Sequence, residues 1–148
     1  MGQNAVWKLK GVFFLKLTDK ISVEKAHSMS PIVLAFIGDA VMTLFVRQKI
    51  AYEKDYKSGK LNELASKVVC AEAQSKLADA VFPQLTKEEQ EVFRRARNAK
   101  KPSHAKNASI TQYNKSTGLE AVIGFLYVTG NEERLHFILN FGGGDNEG

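Results

Sequence analysis

The stretch "PIVLAFIGDAVMTLFV", Pro31 to Val46, is sixteen residues long and carries one charge, Asp39. It is apolar almost throughout, which reads as a buried helix. Ser30 before Pro31 makes a helix start, with serine as N-cap and proline at the first helical position. The helix is expected to run to about Lys49. Gly38 inside it gives up about 1 kcal/mol of helix propensity relative to alanine, which points to close approach of another element or of a ligand beside Asp39. An ionised carboxylate in an apolar interior has to find a partner or take up a proton. The rest of the chain must supply that partner.

Downstream, the apolar positions Leu61, Leu64, Ala65, Val68, Val69, Ala73, Leu77 and Val81 follow helical spacing until Pro83 ends the run. Thr86 and Glu89 form a capping box that opens a helix through Val92, Phe93 and Ala96. Residues 100–115 are loop-like, with room for a helix to begin in their second half. A second apolar helix, "STGLEAVIGFLYV", spans Ser116 to Val128, and Asn131 caps a last helix, "EERLHFILNF". No alternating strand pattern and no repeat is present. The reading is all-α.

The helix at 116–128 repeats the puzzle, since Glu120 is its only charged residue. Thr117, Glu120 and Gly124 are spaced three and four apart and share one face. Two apolar helices, each with one acid beside a glycine, suggest that the acids meet. Carboxylates brought together repel unless a proton or cation lies between them. Mg²⁺, which takes one or two carboxylates and completes its shell with water, resolves this. Spacing alone leaves the alternative open that each acid pairs with its own buried donor.

The chain of 148 residues fits one domain, and its net charge of +5 gives a moderate bias towards anionic partners. The location of that charge is more informative. "RRARNAKKPSHAK", Arg94 to Lys106, holds Arg94, Arg95, Arg97, Lys100, Lys101 and Lys106 and no acid. Cations at a helix end running into a loop can reach phosphates. The plainer reading is a solvated helix end favoured by the helix dipole. One cysteine, Cys70, excludes an internal disulfide and a cysteine-rich zinc site; its setting, "KVVCAEA", reads as a small buried helical residue. There is no phosphate-binding loop and no metal-spaced histidine pair. The N-terminal "VWKLKGVFFLKL" falls short of a membrane span and reads as a strand, a packed arm or an expression leader.

"FIGDAV" at 36–41 and "LEAVIGFLYV" at 119–128 resemble the two acidic signatures of ribonuclease III nuclease domains. "RRARNAK" at 94–100 is similar to the loop of Mini-ribonuclease III, the short bacterial branch of that family. The resemblance covers residues 30–140, leaving 1–29 as an N-terminal extension and 141–148 as a flexible tail. It implies an all-helical homodimeric endonuclease that cuts double-stranded RNA with Mg²⁺. For the short branch it implies maturation of 23S ribosomal RNA precursor ends, on free RNA or on a ribosomal precursor particle. That is cytoplasmic work with no membrane partner. Asp39 and Glu120 match the catalytic, metal-binding acids. Arg94, Arg95, Arg97, Asn98, Lys100, Lys101 and Lys106 are the implied RNA contacts.

The sequence departs from larger relatives at Ile32 and Ala35, where they carry glutamates, and at Thr117, where they carry aspartate. Thr117 is then expected to sit behind the metal ligands, with more water completing the coordination. The competing readings are a non-catalytic double-stranded RNA-binding protein with the same fold and a helical adaptor with buried acid–base pairs.

Overall fold

The computed structural model describes residues 17–101 and 109–141. The elements run α1 (Val23–Ser28), α2 (Pro31–Glu53), α3 (Ser58–Val69), α4 (Ala71–Val81), a 3₁₀ turn (Phe82–Gln84), α5 (Lys87–Asn98), α6 (Ile110–Val128) and α7 (Glu132–Phe141). Among the described residues there is no strand, as the sequence pattern predicts.

Helix α6 is the axis of the fold, with α2, α4, α5 and α7 packed around it. From Ser116 to Leu126 every residue of α6 except Glu120 is buried. Apolar residues on all sides are what a central helix requires, because no face of it meets water. Leu119, Val122, Ile123 and Leu126 meet Leu34 and Met42 of α2, Val81 of α4, Val92 of α5 and Ile138 of α7 in a single core.

Several boundaries differ from the sequence reading. Helix α6 begins at Ile110, because Ser109 and Gln112 form a capping box at 3.1 and 3.3 Å, one turn and a half before Ser116. The run from Lys60 to Val81 is two helices: Cys70 takes an extended backbone (φ −71°, ψ 155°) and redirects the chain, so that α3 packs on α2 while α4 packs on α6. Cys70 stands at that corner and is exposed, correcting its reading as a buried helical residue. Ser30 makes no side-chain cap hydrogen bond, although Pro31 does occupy the first turn. Helix α1 carries no apolar periodicity to announce it; Ser22 caps it by accepting from the Lys25 N–H at 3.1 Å.

The Thr86–Glu89 capping box forms as expected, and its glutamate does more than cap. Glu89, 3% exposed, also accepts two hydrogen bonds from Arg134 of α7, at 2.7 and 3.0 Å. This bidentate pair satisfies the buried carboxylate and fixes α7 against α5.

Candidate active site

The site is made where α2 crosses α6. A Cβ built on Gly38 would collide with the carbonyl of Glu120, and one built on Gly124 with the carbonyl of Leu34. The two backbones are therefore in direct contact, which only glycine permits. Asp39 follows Gly38, and Glu120 is the residue that Gly38 touches. The glycines thus bring the two acids together, as their placement beside the acids suggests.

The two carboxylates differ in environment. Asp39 is exposed, which corrects the expectation of a buried acid in α2. One side of α2 is simply not covered: Val33, Phe36 and Leu44 are 46%, 79% and 54% exposed. Glu120 is largely buried, and its carboxyl is pushed up to about 8. Burial is the main cause, the nearby Asp39 charge adds to it, and a hydrogen bond from Ser116 opposes both. Among the described residues neither acid has an ion-pair partner, so the separate-cation alternative is not realised there. No third acid, histidine or cysteine joins them among those residues.

The hydroxyl behind Glu120 belongs to Ser116, not to Thr117. Ser116 Oγ lies 3.4 Å from Glu120 Oε1, while Thr117 Oγ1 donates back to the Tyr113 carbonyl at 2.9 Å within its own helix. The signal for Ser116 was its four-residue spacing to Glu120. Ser116 Oγ also donates to Gln74 Oε1 at 2.7 Å. The sequence reading puts Ala73 and Leu77 on the covered face of this helix, whereas the structure buries Gln74 and Ala78, which is why Gln74 went unread.

The basic run at the end of α5 has mixed duties. Lys101 donates to the carbonyls of Ala96, Arg97 and Ala99 at 2.9, 3.2 and 2.9 Å, closing the helix C-terminus. Burial lowers its ammonium below the usual lysine range. The expectation of an RNA contact at Lys101 changes accordingly, because its three hydrogens are already engaged. Arg95 donates to the His27 carbonyl at 3.0 Å and ties α1 to α5. Arg94 lies over the Phe82 ring, 5.5 Å from its centre, and Arg97 donates to the Asn98 side chain at 3.1 Å. Lys100 is exposed. Lys106 lies outside the described residues.

A carboxylate pair across a glycine crossing in an all-helical domain matches what the two sequence signatures imply. The Ribonuclease III domain family matches residues 32–131. The chain belongs to the ribonuclease III family. It is 40% identical over 126 residues to the Mini-ribonuclease 3 of Thermoanaerobacter sp. (strain X514), covering 85% of this chain and 89% of that protein. The Mini-ribonuclease 3 of Clostridium tetani is 41% identical over 124 residues, 83% of this chain and 82% of its own length. A crystal structure of a protein from Fusobacterium nucleatum superposes with a TM-score of 0.70 at 31% identity, covering 76% of this chain and 89% of that one. The family assignment makes this chain an endoribonuclease, which sets aside the adaptor and the non-catalytic binder.

Proposed function

We propose that this ribonuclease III-family enzyme cuts double-stranded RNA with Mg²⁺, as a cytoplasmic homodimer that matures the ends of 23S ribosomal RNA precursors. The observation that carries the metal reading is the meeting of Asp39 and Glu120 with no protein cation between them among the described residues. Two carboxylates, one exposed to solvent, suit an ion that keeps several waters and takes only one or two acidic ligands. Asp39 and Glu120 would hold such an ion, which would supply polarisation of the scissile phosphate and a lowered pKa for the attacking water.

The chain's own residues prepare that chemistry. The glycine crossing fixes the separation of the two acids' backbones through direct contact, so that only the side-chain rotamers remain to be set. Exposed Asp39 opens the pair to a phosphate, while the buried side holds Glu120. Arg94, Arg97, Asn98 and Lys100 stand at the end of α5, where cations can follow the backbone of an A-form duplex without reading bases.

The decisive experiment incubates the protein with an unrelated duplex and with a 23S precursor terminus, in Mg²⁺ and in chelator. Cleavage in Mg²⁺ that stops with chelator supports the reading. Cleavage of both RNAs at equal efficiency removes the precursor assignment, and cleavage unaffected by chelator removes the metal.

The uncovered side of α2 supports the dimer. Val33, Phe36, Ala40 and Leu44 recur at three- and four-residue spacing and form an exposed apolar stripe on the helix that carries Asp39. Pairing two copies through it buries the stripe and sets two acid pairs in one assembly, one for each strand. Phe36→Lys is expected to leave helix content unchanged and convert the dimer to monomer in sedimentation velocity at micromolar protein. A variant that sediments with the parent would place the interface elsewhere.

A further inference from the structure

Gln74 is buried in the core at 1% exposure, and its Nε2 has no hydrogen-bond partner among the described residues. Its Oε1 accepts from Ser116 Oγ at 2.7 Å, and the same Oγ lies 3.4 Å from Glu120 Oε1. When Glu120 is ionised, as a cation ligand must be, the serine hydroxyl has one hydrogen and cannot donate to both acceptors at once. A half-turn of the glutamine amide removes the conflict, because it presents N–H where C=O had been within the same shape. Nε2 then donates to Ser116 Oγ, and the serine hydrogen is released to the Glu120 carboxylate. The atom left in the core becomes a carbonyl instead of an NH₂ with two unmade bonds, which is the less costly orphan.

We propose that Gln74 and Ser116 are positioning residues, forming a one-way hydrogen-bond chain from Gln74 Nε2 through Ser116 Oγ to Glu120 that holds this carboxylate in one rotamer for a divalent cation. The inference rests on the metal reading of the acid pair. A purely structural role accounts poorly for the glutamine. Its position is in register with Ala78 and Val81 on the buried face of α4, where a methionine of similar length fills the space without burying an amide. The chain also explains why α4 matters to a site built from α2 and α6. Among the described residues, it links a side chain of α4 to the acid pair.

The test uses the full chain without RNA and titrates Mn²⁺ by electron paramagnetic resonance, with Mg²⁺ displacing it. Gln74→Met and Ser116→Ala are each expected to weaken Mn²⁺ binding roughly tenfold, as loss of a group that orients a metal ligand does. The double variant is expected to lose no more than either single one, because a broken chain cannot be broken twice. Thermal stability of Gln74→Met should equal or exceed that of the parent, and a merely structural role predicts the opposite. The Mg²⁺ concentration for half-maximal cleavage should rise by the same factor, with the rate recovering at saturating Mg²⁺. Parent-like Mn²⁺ affinity in both single variants overturns the inference. So does a double variant whose loss is the product of the two. Should Gln74→Met fail to fold, Ser116→Ala decides alone, since it removes one oxygen. A parent that binds no Mn²⁺ overturns the metal reading itself, and this inference with it.

Discussion

Glu120→Gln is expected to reduce cleavage about a thousandfold or more and, at the same time, to stabilise the metal-free protein at neutral and alkaline pH. The two effects share one cause. Burial and the Asp39 charge hold the Glu120 carboxyl at about 8, against an ordinary 4.5. Between those values the folded chain keeps a proton that the unfolded chain has released. Stability is therefore full below pH 4.5 and falls as pH rises, until the folded group ionises near 8. Each full unit of difference corresponds to about 1.4 kcal/mol, so the loss amounts to a few kcal/mol across the window. Glutamine carries no such proton and removes that part of the slope. Thermal melts in chelator from pH 5 to 9 read this directly: the parent should lose ground to Glu120→Gln as pH rises. Coincident profiles would mean that Glu120 is not held protonated by its surroundings.

Asp39→Asn should be equally inactive for a different reason. Asp39 is exposed, so its replacement relieves no burial, and the amide is simply a poor substitute for a charged Mg²⁺ ligand. Removing its charge should also let Glu120 ionise at lower pH, though still above an ordinary carboxyl, because burial is the larger cause. Normal turnover by either variant, on any duplex that the parent cuts, would end the assignment of these acids as catalytic.

Much of this site was legible because it depends on local and repeated signals. An acid beside a glycine in an otherwise apolar helix, seen twice, states both that two helices touch and what they carry at the contact. Helix entries written as a capping box at Thr86 and a side-chain cap at Asn131 were also readable, since the residues that close them lie within one turn. Distant partners were not readable. Nothing near Glu89 announces Arg134, forty-five positions away, and nothing near Ser116 announces Gln74, forty-two away. The basic run shows the same limit. Composition counted six cations, but only the fold reveals that Lys101 is engaged at its own helix end and Arg95 at α1. The exposure of Asp39 was misjudged because an apolar helix side that the chain leaves uncovered looks identical in sequence to one turned to the core.

The glycine crossing carries the last prediction. Gly38→Ala and Gly124→Ala each gain about 1 kcal/mol of helix propensity. That gain is set against a methyl group placed on a backbone carbonyl of the facing helix, of Glu120 in one case and Leu34 in the other. Backbone cannot rotate away as a side chain does, so α2 and α6 must separate. Overpacking of this kind costs about 1–3 kcal/mol and more when backbone has to move, so the net change should be a clear destabilisation. At about 2–4 °C per kcal/mol for a domain of this size, the melting temperature should fall by several degrees. Gly59 is the control: a Cβ there meets nothing within 4 Å, and Gly59→Ala should be neutral or slightly stabilising. Cleavage by Gly38→Ala should fall further than its folded fraction, because the separation that admits the methyl also parts Asp39 from Glu120. The double variant should lose less than the sum of the single losses, since both methyls push on the same crossing and the first opens room for the second. Parent-like stability and cleavage in both single variants would show that the helices do not meet backbone to backbone.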